Sequence, residues 1–555
     1  MSVDRLERYR QRVFSERDRL RDALRDGAAH QRAVLADLLD HNAGTEFGKA
    51  HDFARIRTVQ DFRKAVPLHD YGTLEPWIER AAAGERNVLT ADDPAVYFTS
   101  SGSTGAHKKI PVTPRFMRTT FFPFFYAAWA PLAEHFPDVL SRRDAVLNLK
   151  HDPLPVVSTT ASGRQHLGAS QVDFGSVFGE PLSAEPGTDA SWAHLPTDVA
   201  PGDHLEKMYL RLRRAVEGDV RCVIGINPAM VAALPYQLTL WWDRLVRDIR
   251  DGTASGRPYT SPNPRRAAEL ADLARRFGTV RPAHIWPNLR AIFCWTTGLA
   301  SLYLPRLREE FGIGVSVLAA PVAASEGPTG VTLDRHAAAG SLVVTAALYE
   351  FVPADETLGP EVATLEPHEL EPGGEYHAIF SHVGGLYRYA VGDVVRVTDM
   401  TAGVPRLTYA GRATASNAAG EGLRESQVIR ALATALAAGG LEVRNAACRT
   451  LPADGAAPYY EFALSPRSPW SDDETTQFAA RLDDALSATS ERYALARTSG
   501  SLAPLVVRRL HPEAFLRNWH DQVGAGVRPA QVKDRLFWRD QESWARLVTK
   551  DGHGC

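Results

Sequence analysis

The residues best suited to chemistry lie in one short segment, residues 97–113, which reads YFTSSGSTGAHKKIPVT. An extended apolar stretch leads into a turn of glycine and hydroxyl side chains, and Lys108 and Lys109 lead out of it. Backbone N–H groups and hydroxyls at such a turn can converge on phosphate oxygens while a lysine supplies positive charge. Only eight of the 63 basic residues are lysine, so two in this segment favour a phosphate-binding loop over an ordinary surface loop. The segment is not a Walker A loop, because the spacing G-x-x-x-x-G-K-[ST] is absent from it.

Three shorter motifs place single charged residues at the ends of strand-like segments. Glu326 follows a small-residue strand in AAPVAASEGPTG, and a carboxylate there can hold a magnesium ion that also binds substrate phosphates. Asp393 follows a glycine in GLYRYAVGD and can accept hydrogen bonds from a ribose diol. Arg412 ends the motif YAGR. Each of these residues, taken alone, is also typical of an ordinary solvated turn.

The composition limits the class of protein. The 555 residues are 44% hydrophobic and 23% charged, which is typical of a globular protein with a sizeable core. The net charge of −3 argues against a nucleic acid or an anionic membrane as partner. Four cysteines without a C-x-x-C pair argue against zinc knuckles and a disulfide framework, and no H-E-x-x-H or G-x-S-x-G motif supports zinc or serine hydrolysis. Residues 120–133 form an apolar stretch too short to span a membrane, and no signal peptide is recognisable, so we expect a cytoplasmic protein.

The order of segments predicts an α/β fold with two domains. Helical spacing is found at residues 4–39, 58–64, 70–80, 230–250 and 265–276, with Thr58 and Asp70 expected as N-caps of the second and third helices. Strand-like runs are found at 145–149, 220–226, 291–295, 314–320 and 341–348. Their alternation indicates layered α/β sheets, and the period of two at 375–396 around two glycines indicates a β-hairpin in a β-rich subdomain. We place a large N-terminal domain at 1–412, a hinge at about 412–422, and a small mobile C-terminal α+β domain at 413–555. Within the small domain we expect helices at 423–438 and 474–494 and strands at 442–451, 459–464 and 506–511.

Taken in this order, the motifs resemble those of the GH3 family of acyl acid amido synthetases, within the adenylate-forming superfamily. The doubled serine of SSGST, the segment A-S-E, LYRYAVGD and YAGR carry the resemblance, together with the closing segment HPEAFLRNWHDQVGAGVRPAQVKDRL. In that closing segment Lys533 matches the position of a family lysine. The resemblance covers nearly the whole chain and implies the two-domain adenylate-forming architecture. The arginine-rich, lysine-poor composition indicates a bacterial member.

The resemblance implies an ATP- and Mg²⁺-dependent ligase that works in two steps. A small carboxylic acid attacks the α-phosphate of ATP to give an acyl-adenylate and pyrophosphate, and an amine, normally an amino acid, then displaces AMP to form an amide. By position in the family motifs, the following roles are implied: phosphate binding for Ser100, Ser101, Ser103, Thr104 and Lys108; the adenine side for Ala324 and Ser325; Mg²⁺ for Glu326; ribose for Asp393; the hinge for Arg412; and catalysis for Lys108 and for Lys533, which the small domain would carry.

Two parts of the resemblance are less complete. The acyl acid would lie against an aromatic helix that contains Phe116 and Trp129 and against Thr297 and Gly298 after a strand, although ordinary core packing explains the aromatic residues equally well. Val322 replaces a tyrosine of many members, and Gly422 replaces a lysine, a loss for which Arg424 could compensate. A thioester-forming ligase, a non-catalytic nucleotide-binding protein and an acid-binding protein that forms no adenylate remain as alternatives, and we expect no obligate protein partner.

Overall fold

The computed structural model describes residues 3–101, 107–180, 185–336, 338–453 and 456–549. Ser103 and Thr104 of the predicted phosphate loop lie outside these residues. The strands, in chain order, are β1 (Val96–Ser101), β2 (His107–Val112), β3 (Val146–Asn148), β4 (Ser158–Thr159), β5 (Gln165–Leu167), β6 (Cys222–Ile224), β7 (Thr253–Ala254), β8 (Arg257–Pro258), β9 (Ala291–Cys294), β10 (Ser316–Ala319), β11 (Val322–Ala324), β12 (Gly327–Val331), β13 (Gly340–Leu342), β14 (Leu348–Pro353), β15 (Glu375–His382), β16 (Leu386–Thr401), β17 (Val404–Arg412), β18 (Ala415–Ser416), β19 (Leu423–Arg424), β20 (Val443–Ala453), β21 (Ala456–Pro466) and β22 (Val506–Arg509).

Helices precede β1, follow β22 and lie in seven of the connections between successive strands. The α-helices are α1 (Val3–Ala23), α2 (Gly27–Asn42), α3 (Glu46–Ala50), α4 (Val59–Ala65), α5 (Tyr71–Ala82), α6 (Pro114–Phe116), α7 (Phe122–Ala127), α8 (Ala130–His135), α9 (Pro137–Leu140), α10 (Phe174–Phe178), α11 (His204–Ala215), α12 (Pro228–Asp251), α13 (Pro264–Phe277), α14 (Pro282–Ile285), α15 (Leu304–Phe311), α16 (Glu425–Gly439), α17 (Asp472–Thr489), α18 (Glu491–Thr498), α19 (Ala514–Gly524) and α20 (Gln541–Thr549). A π-helical turn lies at Met117–Phe121, and 3₁₀ turns lie at Leu24–Asp26, Phe53–Arg55, Ala169–Gln171, Ser191–Ala193, Gly298–Tyr303, Pro367–Glu369 and Pro529–Gln531. Within the part of the chain that the structure describes, no helix is long and apolar enough to cross a membrane.

A four-stranded parallel sheet forms one layer of the large domain, in the order β10-β9-β6-β3. The residues of β3, β6 and β9 are all buried, and helical segments cross between the strands, as parallel pairing requires. Side chains that follow the carboxyl ends of such strands meet at one edge of the sheet. Asn227 after β6 and Trp295 after β9 therefore lie close to each other.

Two further large sheets lie in the large domain, one mixed, because β1 pairs with β5 in parallel, and one antiparallel. The sheet β2-β1-β5-β4 contains the two strands that flank the predicted phosphate loop. The seven-stranded sheet runs in the order β11-β12-β13-β17-β16-β15-β14. The predicted hairpin at 375–396 is present as β15 and β16, and Gly385 at its turn has φ +97°, a left-handed conformation that favours glycine.

The C-terminal part contains the three-stranded sheet β20-β21-β22 with α16, α17 and α18 packed against it. This cluster includes Leu432, Phe462 and Leu482, all fully or almost fully buried. Helix α19 contacts both parts of the chain: Trp519 and Val523 pack in the core around α11 and α12, whereas Phe515 packs against the C-terminal sheet and α20.

Several predicted elements differ from the observed ones at their ends. The strand predicted at 341–348 is two strands, β13 and β14, because residues 343–347 turn between them. The helix predicted at 474–494 is interrupted at Ser490, which ends α17 and caps α18 with its hydroxyl. The helix predicted from residue 423 begins at Glu425, and the pattern at 4–39 is broken by the 3₁₀ turn at Leu24–Asp26. The N-caps expected at Thr58 and Asp70 are present, each in a capping box.

Candidate functional site

The strands β1 and β2 place Ser100 directly opposite Lys108. Side chains alternate between the two faces of a strand, so Lys108 and Lys109 point to opposite sides of this hairpin. Lys109 pairs with Glu79 of α5 at 2.6 Å, whereas the ammonium group of Lys108 turns toward Glu326 and Tyr389. Lys108 therefore lies in the candidate site, whereas Lys109 forms an ion pair at the surface. The side chain of Ser101 lies outside the described part.

Glu326 is the centre of this site and is held in place from three sides. It occupies the two-residue turn between β11 and β12, and the neighbouring Ser325 hydroxyl donates to the carbonyl of Thr99 in β1 at 3.0 Å. The hydroxyl of Ser100 donates to Oε1 of Glu326 at 3.0 Å. The Glu326 side chain is 3% exposed, and the Lys108 Nζ lies 4.0 Å from its Oε1. The Lys108 ammonium group and the Ser100 hydroxyl thus both lie next to Oε1 of this buried carboxylate. A carboxylate in such surroundings can also bind a metal ion.

The backbone of Glu326 is fixed by a buried histidine. Burial lowers the pKa of His382 to about 4, so its ring is neutral at pH 7. Its Nδ1 accepts from the N–H of Gly384 at 3.1 Å, and its Nε2 therefore carries the proton and donates to the carbonyl of Glu326 at 2.9 Å. This histidine aligns the turn that presents the carboxylate.

Two tyrosines surround the ammonium group of Lys108. Its Nζ lies 3.3 Å from the hydroxyl of Tyr389 and 5.3 Å from the ring centroid of Tyr71. Burial, with the charge of Glu326 nearby, raises the pKa of Tyr389 far above its ordinary value, so this hydroxyl stays protonated. Lys108 is 23% exposed, so it is anchored by its neighbours and remains accessible to an anion.

Asp393 and Arg412 form an ion pair on two interior strands of the seven-stranded sheet, where β17 ends. They are register partners on β16 and β17, and Arg412 Nη1 donates to Asp393 Oδ1 at 2.7 Å. Asp393, with burial acting against it, raises the pKa of Arg412. The backbone N–H of Arg412 also donates to Glu425 Oε2 at 3.2 Å, and burial raises the pKa of that carboxyl. One oxygen of Asp393 is thus engaged by Arg412 and the other is available to a ribose.

Lys533 reaches the same site from the C-terminal part of the chain. Its Nζ lies 5.0 Å from the ring centroid of Trp295, a cation–π distance. Burial lowers the pKa of Lys533, Arg412 lowers it further, and the carboxylates of Asp393 and Glu326 act in the opposite direction. Lys533 as a whole is solvent-exposed, although protein atoms surround its ammonium group. The structure therefore brings Lys533 together with the ribose and metal candidates.

The four acyl-pocket candidates divide into two pairs. Gly298 has φ +62° and faces the ring of Tyr409, whose Cδ1 would lie 3.1 Å from an added Cβ, and Thr297 precedes it beside Trp295. Phe116 and Trp129 are 1% and 3% exposed in the main core, where Phe116 packs on His382 and Trp129 on Phe293. Core packing accounts for both aromatic residues, and their contact with an acid stays a prediction.

The expected compensation by Arg424 is wrong. Its guanidinium lies 3.7 Å from Glu375, which also binds Arg396 and Arg430, so it belongs to a separate charge cluster. Gly422, where the resemblance implied a lysine, has φ +53°, a conformation that disfavours side chains with a Cβ.

Sequence reasoning missed four residues that build the site: Tyr71, Tyr389, His382 and Glu425. Tyr389 lies inside the motif LYRYAVGD and was open to recognition from it, because a tyrosine in a strand four residues before Asp393 is well placed to reach the same site. The others had no local signal, since their roles depend on contacts with distant segments.

Comparison with known proteins gives the family. Sequence models of the GH3 family N-terminal domain, central domain and C-terminal domain match residues 16–314, 340–412 and 426–542, and the first alone spans more than half of the chain. The chain belongs to the GH3 family. The family predicted from the motifs is confirmed.

Relatives and solved structures agree with this assignment. A probable indole-3-acetic acid-amido synthetase GH3.12 of Oryza sativa subsp. japonica is 28% identical over 428 residues, which are 69% of this chain and 69% of that protein. A jasmonoyl-L-amino acid synthetase JAR6 of Nicotiana attenuata is 27% identical over 440 residues, 74% of this chain and 73% of that protein. The structure of AtGH3.15 acyl acid amido synthetase in complex with 2,4-DB has a TM-score of 0.80 at 21% identity and covers 96% of this chain and 95% of that chain.

These findings confirm the fold class, with layered α/β sheets, a β-rich subdomain and a C-terminal α+β part. They also confirm the class of activity predicted for this chain, an ATP-dependent acid–amine ligase. The thioester-forming alternative loses its support, because the relatives are amido synthetases.

Proposed function

We propose that this GH3 family member adenylates a small carboxylic acid at the site around Glu326 and transfers the acyl group to an amino acid. The observation that carries this proposal is the convergence of Ser100, Lys108 and Glu326 with the pair Asp393–Arg412 and with Lys533. Three cations and two carboxylates around one site suit a substrate that carries phosphates, a metal ion and a ribose.

The chemistry follows from the poor reactivity of a free carboxylate. In the first step, a carboxylate oxygen forms a bond to the α-phosphorus of ATP while the bond to the bridging oxygen breaks and pyrophosphate leaves. In the second step, the amine nitrogen bonds to the acyl carbon, AMP leaves with the electron pair, and the nitrogen loses a proton to give an amide. Both steps depend on positioning and on neutralising phosphate charge.

The residues present fit a magnesium ion that is shared with phosphates. Among the residues that the structure describes, no group of three or more His, Cys, Asp or Glu side chains is arranged to hold a metal ion. Mg²⁺ normally takes one or two protein carboxylates, several waters and substrate phosphates. Glu326, aligned by Ser100 and by His382, would supply the carboxylate, and the ion would neutralise phosphate charge when bound.

The protein's own charged groups have distinct tasks. Lys108, anchored by Tyr389, would bind the phosphates from the β2 side. Asp393, aligned by Arg412, would accept the ribose hydroxyls. Lys533 would stabilise the negative charge that develops at the α-phosphate as pyrophosphate leaves.

The domain boundary, the bacterial source and the cytoplasmic location expected from the sequence are also parts of this proposal. The domain boundary near 412–422 is supported by the family matches, which end at 412 and resume at 426. Rotation of the small domain stays a part of the proposal, because closure would exclude water from the adenylate. A bacterial source is supported by the lysine-poor composition, and a cytoplasmic location by the buried free thiols Cys222, Cys294 and Cys448.

The direct test is acid-dependent exchange of labelled pyrophosphate into ATP, with a panel of aromatic, indolic and aliphatic acids and no amine present. Exchange with some acid, lost without Mg²⁺, supports adenylation and identifies the acid class. A panel of amino acids then identifies the acceptor by the amide formed. ATP binding without exchange for any acid would favour a non-catalytic nucleotide-binding protein.

A further inference from the structure

Lys533 lies in a short segment whose neighbours are held on both sides. The carbonyl of Val532 accepts a hydrogen bond from Asn227 Nδ2 at 2.7 Å, and Asn227 is buried at the end of β6. The carboxylate of Asp534 accepts from the hydroxyl of Tyr303 at 2.5 Å. Between these two residues, the ammonium group of Lys533 lies over Trp295. Three successive residues are therefore each contacted by a different side chain of the large domain.

The C-terminal part of the chain holds the same segment from the other direction. Asn445 of β20 donates to Asp534 Oδ2 at 2.9 Å and to the Tyr303 hydroxyl at 3.0 Å. Cys448 of β20 exchanges backbone hydrogen bonds with Leu536 and Trp538. After Asp534 the segment thus pairs with β20 of the C-terminal sheet, and residues 532–534 are the part that the large domain holds.

Fixed neighbours determine where the lysine points. A free lysine side chain loses rotamer entropy when it is ordered, so a catalytic ammonium group works better if its backbone and stem are already placed. The charges acting on Lys533 come from Arg412, Asp393 and Glu326, which are the ribose and metal candidates. In this arrangement the ammonium group faces the nucleotide.

We propose that Asn227, Trp295 and Tyr303 form a docking clamp that holds Lys533 in the nucleotide site and acts in the adenylating half-reaction. These three are positioning residues, because they act through Lys533. The inference rests on the proposed function for the identity of the half-reaction. If the small domain rotates between the steps, the three clamp contacts break together, while Asn445 and β20 keep the segment attached to the C-terminal sheet.

Each variant removes one contact, and Tyr303→Phe and Asn227→Asp do so with little change in volume. Tyr303→Phe removes the hydroxyl that binds Asp534. Trp295→Leu removes the aromatic ring over which the Lys533 ammonium group lies, and Trp295→Phe keeps an aromatic ring at this position. Asn227→Asp keeps the oxygen that caps α12 through Ala229 N–H but replaces the donor to Val532. The matched control is Tyr493→Phe, which removes a similar tyrosine–aspartate hydrogen bond, to Asp483 at 2.6 Å, far from the site.

Each variant is compared with the unchanged protein in pyrophosphate exchange and in amide formation from a supplied acyl-adenylate. For Tyr303→Phe, Trp295→Leu and Asn227→Asp we expect kcat/KM for ATP in pyrophosphate exchange to fall about tenfold or more. For Tyr303→Phe and Asn227→Asp the second reaction should change less than about twofold. Trp295→Phe should recover most of the loss, and Tyr493→Phe should match the unchanged protein. Equal losses in both reactions with a lower melting temperature would reduce the clamp to a structural role and overturn the proposal.

Two experiments distinguish a failure of the clamp from a failure of the proposed function. They are the Lys533→Ala variant and amide hydrogen exchange. If Lys533→Ala lowers pyrophosphate exchange but the clamp variants do not, the clamp is refuted and the proposed function stands. If Lys533→Ala leaves pyrophosphate exchange unchanged, the catalytic role given to Lys533 is wrong, and the proposed purpose of the clamp is wrong with it. Independently of any activity, the clamp predicts faster amide hydrogen exchange in the peptide around residues 532–536 of Tyr303→Phe than of Tyr493→Phe. Unchanged exchange in that peptide would refute the clamp whether or not an acid substrate is found.

Discussion

Lys108 and Lys109 provide the sharpest internal test of the site. They are neighbours on β2 with similar exposure, 23% and 28%, but their side chains lie on opposite faces of the strand. Lys108 points to Glu326 and Tyr389, and Lys109 pairs with Glu79. We therefore predict that Lys108→Met loses adenylation and that Lys109→Met does not.

The size of the expected effect follows from the surroundings of each lysine. Removing one preorganised charged group that stabilises a transition state costs about 2.7–4 kcal/mol, or roughly 10²–10³ in rate. Lys108 fits this case, because the tyrosines already orient it and no rearrangement is needed to meet a phosphate. Lys109→Met removes a partly exposed ion pair, which contributes about 0–1 kcal/mol to folding and nothing to the site.

The assay is acid-dependent pyrophosphate exchange at several ATP concentrations, with melting temperatures measured for both variants. We expect kcat/KM for ATP to fall roughly 10²–10³-fold in Lys108→Met and to stay within about twofold in Lys109→Met. The reasoning is refuted if the two variants lose similar activity, or if Lys108→Met keeps full exchange while it remains folded.

Four further predictions address the other charged groups. Asp393→Ala should raise the KM for ATP about tenfold or more through loss of charge-assisted hydrogen bonds to the ribose, and unchanged ATP kinetics would remove that role. Glu326→Gln should raise the Mg²⁺ concentration for half-maximal exchange about tenfold or more, which a magnesium titration measures. Burial lowers the pKa of Lys533, and the charge of Lys533 is present below that pKa and is lost as the pH rises through it. We therefore expect kcat/KM for ATP to fall at a pH below 10.5. This alkaline fall should be absent in Lys533→Arg, because the guanidinium group stays charged. Glu350→Gln should lower the free energy of unfolding by about 3–5 kcal/mol in denaturant titrations, because the buried Arg388 loses its charged partner, and a change under about 1 kcal/mol would contradict this.

The sequence predicted the parts of the fold that depend on local pattern. The helices α4 and α5 were predicted with their caps, because Thr58 and Asp70 act on N–H groups only three residues away. The hairpin at 375–396 was predicted because its period of two and its two glycines are local features. The strand predicted at 341–348 was wrong because the apolar run continues through the turn at 343–347, whose residues are buried as deeply as those of the strands.

The partners inside the site were not predictable in the same way. Ser100 and Glu326 are 226 positions apart, and Lys108 and Tyr389 are 281 apart. Such pairs form only when two separate sheets are packed together, so no window of sequence contains them. The motifs indicated which residue types reach the site, and the tertiary structure determined which of them hold one another.

The glycine at position 422 is best explained by the loop around it. Glu421 is 1% exposed, and its carboxylate accepts from the N–H groups of Ala418 and Ala419 and from the hydroxyl of Tyr460, which fixes the loop to the C-terminal sheet. The next residue has φ +53°, where a lysine would be strained and glycine is not. Positive charge at the site comes instead from Lys108, Arg412 and Lys533, which lie on three separate elements. A chain with this arrangement can neutralise phosphate charge without a hinge lysine, and position 422 then serves the conformation of the hinge alone.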